Sequence, residues 1–400
     1  MRTVFPRLLL ALAALGIAAA AAAEPRPGEM RGLWVVRTAL VSPQAVDRVV
    51  DDAAKAGMNA LFVQVRGRGD AFYRSRLAPR SPLLERQPRD FDPLARLLAR
   101  ARARGIEVHA WANVLLAAHF GQPLPRGHVL EKHPEWAMVP KPVATAALVA
   151  SGPRRLRLVR EAGRAAGDVE GYYLSPSIPA VGDHLEAVVR ELVEAYPVDG
   201  LHFDFIRYPS PDYDHSRASL EGFRRRYGGS DLLGGPARGP SAWGEYQRQV
   251  LSALATRLAD AARVARPGIV LSAAVAPDEA QAVQHKFQDW PRWVSSGLLN
   301  ALVPMTYTQD NRVFRDQLET ARGHAGAARP VWAGIGAYRL DLEGIVEKVD
   351  LARRTGVAGV VLFSHESLEP GDLDRLRAEA FPVRRAAGGG AAGSLAPAGR

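Results

Sequence analysis

Four hundred residues, 47% of them hydrophobic and 24% charged, make an ordinary globular composition with ample apolar content for a large core. The chain has no cysteine, which excludes disulfides, a thiol nucleophile, a cysteine-borne lipid anchor and thiolate metal sites. The formal charge of +10 comes from arginine clusters such as Arg96–Arg104, Arg154–Arg160 and Arg224–Arg226. No stretch interleaves basic with aromatic residues as a stacking platform would, so these read as solvated faces attracted to an anionic envelope polymer, and nucleic acid is not an expected partner.

Residues 1–23 read as a secretory signal peptide: Arg2 and Arg7 precede the apolar run Leu8–Ala22, and Ala21-Ala22-Ala23 before Glu24 offers a small-residue cleavage pattern. No other stretch approaches about 18 consecutive apolar residues, so no integral membrane segment is expected after signal removal, and the protein is expected to be secreted or periplasmic. A linker, Glu24–Glu29, leads to a first strand at Arg31–Val36, a helix through Val46–Ala56 ended by Gly57, and a second strand at Ala60–Val65. Asp92-Pro93 opens a helix to Arg104, and Glu107–Ala112 is the third strand.

From Val114 to about Ala180 the periodicity weakens and prolines and glycines recur, which marks a long insertion at the functional face, containing His133-Pro134-Glu135-Trp136 and Gly171-Tyr172-Tyr173. An amphipathic helix over Val181–Tyr196 then feeds the fourth strand, in Val198–Pro209, V-D-G-L-H-F-D-F-I-R-Y-P. Further strands are expected at Ile269–Val275, Ala301–Met305, Val331–Gly334 and Gly359–Phe363, with helices at Leu220–Tyr227, Ala242–Val264, Arg312–Arg322, Leu342–Thr355 and Asp372–Ala380 between and after them. Eight strands alternating with helices predict an α/β fold, a (β/α)8 TIM-type barrel over residues 24–383 with an extended insertion after strand 3. The Ala- and Gly-rich tail, 384–400, reads as disordered.

Barrel enzymes carry their reacting groups at the carboxyl ends of the strands. Those ends hold Gln64, Trp111, Asn113, His202, Asp204, Arg207, Tyr208, Asp278, Tyr307, Asp310, Tyr338 and Glu366. Carboxylates converging with aromatics, Asn and Arg in one mouth are what glycosidic cleavage requires, since a protonated carboxyl assists the leaving oxygen while an ionised one attacks the sugar or activates water. Asp204 leads as nucleophile or base, with Arg207 expected to hold it ionised, and Asp278 or Glu366 is the expected acid. Arg207, Tyr208, Asn113, Trp111, Tyr307, His202, Gln64 and Asp310 are expected to bind sugar. His109 and His202 lack a zinc-type signature, so no metal and no cofactor is expected.

The segments M-R-G-L-W-V at 30–35, G-M-N-A-L-F-V-Q-V-R at 57–66, G-I-E-V-H-A-W-A-N at 105–113, H-P-E-W at 133–136, P-V-D-G-L-H-F-D-F-I-R-Y-P at 197–209 and V-P-M-T-Y at 303–307 together resemble glycosyl-hydrolase-like family 10. The resemblance implies a (β/α)8 barrel, export to the bacterial envelope or exterior, and glycoside hydrolase activity on a polysaccharide, with peptidoglycan glycan strands stripped of their peptides as the leading substrate. Two departures stand out. Many members carry two adjacent acids at the tip of strand 4, whereas Asp204 is followed by Phe205. Against the family 18 chitinase pattern D-x-x-D-x-D-x-E, Asp199 and Asp204 match, but His202 and Ile206 replace the middle Asp and the terminal acid. A carbohydrate-binding barrel without hydrolysis is therefore the alternative reading.

Overall fold

A computed structural model describes residues 28–228 and 239–382; the expected signal peptide and the tail at 384–400 lie outside them. The strands are β1 Met30–Val35, β2 Ala60–Arg66, β3 Glu107–Asn113, β4 Leu116–His119, β5 Gly171–Tyr173, β6 Gly200–Asp204, β7 Val270–Val275, β8 Ala301–Pro304, β9 Trp332–Gly336 and β10 Gly359–Phe363. The helices are α1 Pro43–Lys55, α2 Pro93–Arg102, α3 Val129–Lys132, α4 Ala144–Val149, α5 Gly152–Ala166, α6 Pro179–Ala195, α7 Arg217–Tyr227, α8 Gly239–Ala265, α9 Trp290–Ser295, α10 Asn311–Ala325, α11 Leu342–Thr355 and α12 Asp372–Glu379.

Eight parallel strands run in the order β8-β7-β6-β3-β2-β1-β10-β9, and the isolated bridges Leu302–Val331 and Met305–Gly334 join β8 to β9, closing the ring. This is the expected TIM-type barrel, with α1, α2, α6, α8, α10 and α11 among the helices around it. Helix entry follows local chemistry: the Ser42 and Asp92 side chains accept from the amides of Ala45 and Ala95, and Pro43 and Pro93 start α1 and α2 where no intrahelical donor is needed. One expectation fails at the amino end. Glu29, read as the close of a linker, is buried and makes a two-point ion pair with Arg353 on α11 at 2.7 and 2.9 Å, so the barrel begins there.

Strand alternation sorts the residues. Met30, Trp34, Ala60, Phe62, Trp111, Ala274, Val303, Trp332 and Val361 form a core inside the ring, while Leu33, Val35, Leu61, Val63, Leu201 and Phe203 pack under the helices. Space inside is tight: a Cβ on Gly200 would lie 2.1 Å from His109 Nδ1, so only glycine lets the imidazole stack on Phe62 at 4.6 Å.

The insertion after β3 is an antiparallel ribbon, β4 with β5, carrying α3, α4 and α5. It is stitched directly to the strand that holds Asp204: Val114 N donates to Asp204 O at 2.8 Å and Leu115 N to Phe205 O at 3.2 Å. Among the described residues no helix is long and apolar enough to cross a membrane.

Candidate active site

At the carboxyl end of the barrel lies a cavity of about 250 Å³. Its walls are Trp34, Gln64, Trp111, Asn113, Asp204, Met305, Tyr307 and Phe363 from the strand ends, with Arg37, Phe205 and Arg207 just beyond them and Leu116 and His119 from the ribbon. Gln64, Trp111, Asn113, Asp204 and Phe363 share the inward parity of their strands, which is why residues far apart in sequence meet here.

Asp204 is 7% exposed. Its Oδ2 accepts from Trp111 Nε1 at 3.1 Å and its Oδ1 from the amide of Phe205 at 2.6 Å. Phe205 sits at φ 48°, a left-handed backbone that a bulky residue adopts at a cost, and this turns the chain sharply at the strand tip. Burial pushes the Asp204 carboxyl up to about 6; Arg207, the Phe205 amide and the Trp111 indole pull the other way without cancelling it. Arg207 favours the ionised form of Asp204, as expected, but desolvation is the larger effect.

Arg207 has another partner. Its two terminal nitrogens lie 3.3 and 3.2 Å from Glu170 Oε1, its plane covers Phe205 at 4.4 Å, and Tyr173 donates its hydroxyl to Glu170 Oε2 at 2.6 Å. Burial would raise the Glu170 carboxyl, but Arg207 and Tyr173 outweigh it and hold Glu170 below its ordinary value, so it is the ionised carboxylate of this group. Glu170 was invisible to strand-end reasoning because it enters from the insertion. The adjacent Gly171-Tyr172-Tyr173 was the one nearby signal.

Around Asp204 the polar groups are locked together. Asn113 Oδ1 accepts from Trp111 Nε1 at 3.0 Å, and Asn113 Nδ2 donates to Gly67 O at 2.8 Å. Gln64 Oε1 accepts from Arg37 at 2.8 Å. Arg37 lies flat against Gly67, where a Cβ would come within 2.8 Å of the guanidinium. The opposite wall is aromatic: Tyr307 stacks on Phe363 at 5.6 Å and meets Trp34 edge-on at 6.3 Å, while the 55%-exposed Tyr338 packs against Tyr307 and Phe363 at 6.0 Å each.

Five of the expected site residues do other work. Asp278 is exposed and accepts from the Gln281 amide at 2.7 Å, Asp310 caps α10 through the amides of Arg312 and Val313, and the exposed Glu366 accepts from Ser364 Oγ at 2.7 Å; none lines the cavity. Their carboxylates satisfy orphan amides or a hydroxyl instead. Tyr208 is fully buried outside the barrel interior, donating to Gln247 Oε1 at 2.6 Å and packing edge-on to Phe287. His202 lies within the ring under Trp34, where Nε2 accepts from the Trp34 indole at 3.2 Å and Nδ1 faces Ser272 Oγ at 2.9 Å, and burial drives it strongly toward the neutral form. Asp199 is at the other end of β6, accepting from the Val108 amide at 2.8 Å. Missed by the sequence reading were Trp34 and Phe363, although their inward parity would have found them. Among the described residues no group of three or more His, Asp or Glu side chains is arranged to hold a metal ion.

The fold and its mouth define a barrel of the glycoside hydrolase type, with a buried acid facing an aromatic wall. The chain belongs to the glycosyl hydrolase-like 10 family, whose model matches residues 29–336. It is 26% identical over 324 residues to glycosyl hydrolase DigH of Escherichia coli K12, spanning 76% of this chain and 67% of that protein. Glycosyl hydrolase YngK of Bacillus subtilis is 28% identical over 199 residues, 45% of this chain and 34% of that one. Among solved structures, the glycoside hydrolase domain of PgaB from Bordetella bronchiseptica superposes with a TM-score of 0.66 at 15% identity, over 88% of this chain and 99% of that one. A β-galactosidase from Bacillus circulans gives 0.61 at 12% identity, over 88% and 55%. At such identities the structural likeness speaks for the fold alone.

Proposed function

We propose that the protein hydrolyses O-glycosidic bonds of an envelope or extracellular polysaccharide, with peptidoglycan glycan strands as the first substrate to test. The observation that carries this is Asp204: a carboxyl at the tip of the fourth barrel strand, bordering an open cavity with an aromatic wall and pushed up to about 6. A carboxyl in that range stays partly protonated near neutrality, which is what a proton donor to a leaving glycosidic oxygen needs. In this reading its role is the acid, in place of the nucleophile or base expected from the sequence.

The reaction also needs an ionised group to meet the positive charge developing at the anomeric carbon. Glu170 is ionised and paired with Arg207, which also acts on Asp204, but it does not border the cavity, so its part is to set the charge around Asp204, and the acid's role expected of Asp278 or Glu366 falls to Asp204. Trp34, Tyr307 and Phe363 offer apolar faces to a pyranose ring, and Gln64, Asn113 and Arg37 offer donors and acceptors to its hydroxyls. Export to the envelope or exterior belongs to the same reading and rests on Arg2, Arg7 and the run Leu8–Ala22. Fractionation of cells producing the full chain checks it: an intact leader retained in the cytosol would remove it.

A non-hydrolytic carbohydrate-binding barrel is the second reading, favoured by one observation: among the described residues Asp204 is the single carboxylate bordering the cavity. Incubation of peptide-free glycan strands with the protein, read as new reducing ends by mass spectrometry, separates the two. Cleavage abolished in Asp204→Asn with an unchanged circular dichroism spectrum supports hydrolysis. Saturable binding by the unmodified protein with no new ends refutes it.

A further inference from the structure

The ribbon β4–β5 has two faces. One borders the catalytic cavity through Leu116 and His119 and holds Tyr173 against Glu170 and Arg207. The other carries Phe120 and Tyr172, packed edge to face at 4.9 Å, and with α5 it forms a separate groove of about 500 Å³. Pro123, Leu124, Pro153 and Leu156 make its apolar walls, and Arg154, Arg157 and Arg160 stand along one side. Nothing in the proposed hydrolysis uses it.

Three observations set this groove apart. The first is pairing. Arginines on the barrel helix α2 are neutralised by carboxylates on α1: Arg96 and Arg100 by Asp47, and Arg100 and Arg104 by Asp51, the last just beyond the helix end. Among the described residues no carboxylate lies within 4 Å of the charged nitrogens of Arg154, Arg157 or Arg160, and the exposed Glu161 on the same helix makes no ion pair with them. The second is placement. Arg154 occupies the first turn of α5, which contains no acid, so a cation sits where the helix dipole disfavours it and local helix stability does not account for it. The third is spacing. Positions 154, 157 and 160 recur every three residues and fall on one side of the helix, whereas Arg155 points the other way and donates to Ala147 O at 2.7 Å.

We propose that this groove is a second binding site, separate from the catalytic mouth, for an acidic polysaccharide strand whose carboxylates pair with Arg154, Arg157 and Arg160. Guanidinium forks match carboxylates two-pronged, and three in a row match a repeating acid better than a single one. The walls favour sugar over nucleic acid. Phe120 and Tyr172 are only 7% and 5% exposed, so no ring face is free to stack a base, while proline and leucine edges suit the C–H faces of pyranose rings. The groove lies one ribbon away from the mouth, so a strand held there keeps its neighbouring segments at high local concentration near Asp204. The choice of a glycan rests on the hydrolase reading; the anion site itself does not.

The test uses the full chain carrying Asp204→Asn, so that binding is read without cleavage. Fluorescent polygalacturonate is the acidic probe, with dextran, duplex DNA and phosphatidylglycerol vesicles as comparisons. The groove variant is Arg154→Gln/Arg157→Gln/Arg160→Gln, backed by the single variant Arg157→Gln should the triple variant lose its circular dichroism spectrum. A charge-matched control is Arg48→Gln/Arg86→Gln/Arg89→Gln, which removes three exposed cations elsewhere. We expect the groove variant to weaken polygalacturonate binding about tenfold or more and the control about threefold or less, with salt weakening the parent and not the groove variant. Equal losses in groove variant and control, or tighter binding of DNA or vesicles than of polygalacturonate, would overturn the proposal. Groove-dependent binding in a protein that never cleaves glycan would remove the hydrolase reading and leave this one standing.

Discussion

The mouth of the barrel and the groove behind it use arginine in opposite ways. In the mouth, Arg207 is paired with Glu170, covers Phe205 and is fixed by Tyr173, so its charge is spent on geometry. In the groove, the exposed Arg154 and Arg157 and the half-buried Arg160 have no carboxylate within 4 Å among the described residues, so their charge is available to a ligand and open to screening by salt. Buried charge here sets the protonation of one carboxyl; exposed charge can only gather something from outside.

The comparison breaks most sharply at Asp204. Asp204→Asn keeps the shape of the mouth but removes the proposed proton donor, and glycan cleavage should fall by about 10²–10⁴-fold. A loss below tenfold in a reducing-end assay would mean that the mouth does not work through this carboxyl. Next in size is Glu170→Gln, which leaves Arg207 without its counter-charge. Cleavage should fall by about 10–100-fold. Because Glu170 raises the Asp204 carboxyl and Arg207 lowers it, the upper limb of the pH profile should also move to lower pH. A reduced rate with an unmoved limb would make Glu170 merely structural.

Protonation sharpens the contrast further. With Asp204 at about 6 against an ordinary 3.8, the folded state favours the protonated form, so this contribution to stability is fully present below about pH 4 and is lost as pH rises through 6. The shift corresponds to ~3 kcal/mol at most. Asp204→Asn should therefore be more stable than the parent at pH 8 and nearly equal to it at pH 4, as read by denaturant midpoints. Activity that needs the protonated acid should decline above pH 6 along the same titration. The smallest effects belong to Asp278→Asn and Glu366→Gln, which should leave turnover within about twofold because neither side chain borders the cavity.

The barrel was legible because its strands announce themselves by apolar runs bounded by turns, and alternation alone then sends Gln64, Trp111, Asn113 and Asp204 to one side. The directions of the loops were not legible. A carboxylate just past a strand reads the same whether it turns inward, as Asp204 does, or folds back to serve an amide, as Asp278 and Asp310 do. The sequence motif around Tyr208 carried the same ambiguity, and the phenol went to the helix side to meet Gln247. Glu170 was hidden for another reason: its partner Arg207 is 37 residues away, and only the ribbon's return brings them together.

The ring is not equally sewn all the way round. Seven of its joints are extended ladders, one of them with a bulge at Gln64–Arg66, while β8 and β9 meet through the bridges Leu302–Val331 and Met305–Gly334, helped by Thr306 Oγ1 on Gly334 O at 2.8 Å. Tyr307 springs from that sparse joint, whereas Asp204 is two strands away on the fully laddered part. Local opening of the ring should thus begin at this joint and shift Tyr307 while Asp204 stays put, and faster deuterium uptake at Leu302, whose amide donates to Pro330 O at 3.1 Å, than at Leu201 and Phe203 would be its signature.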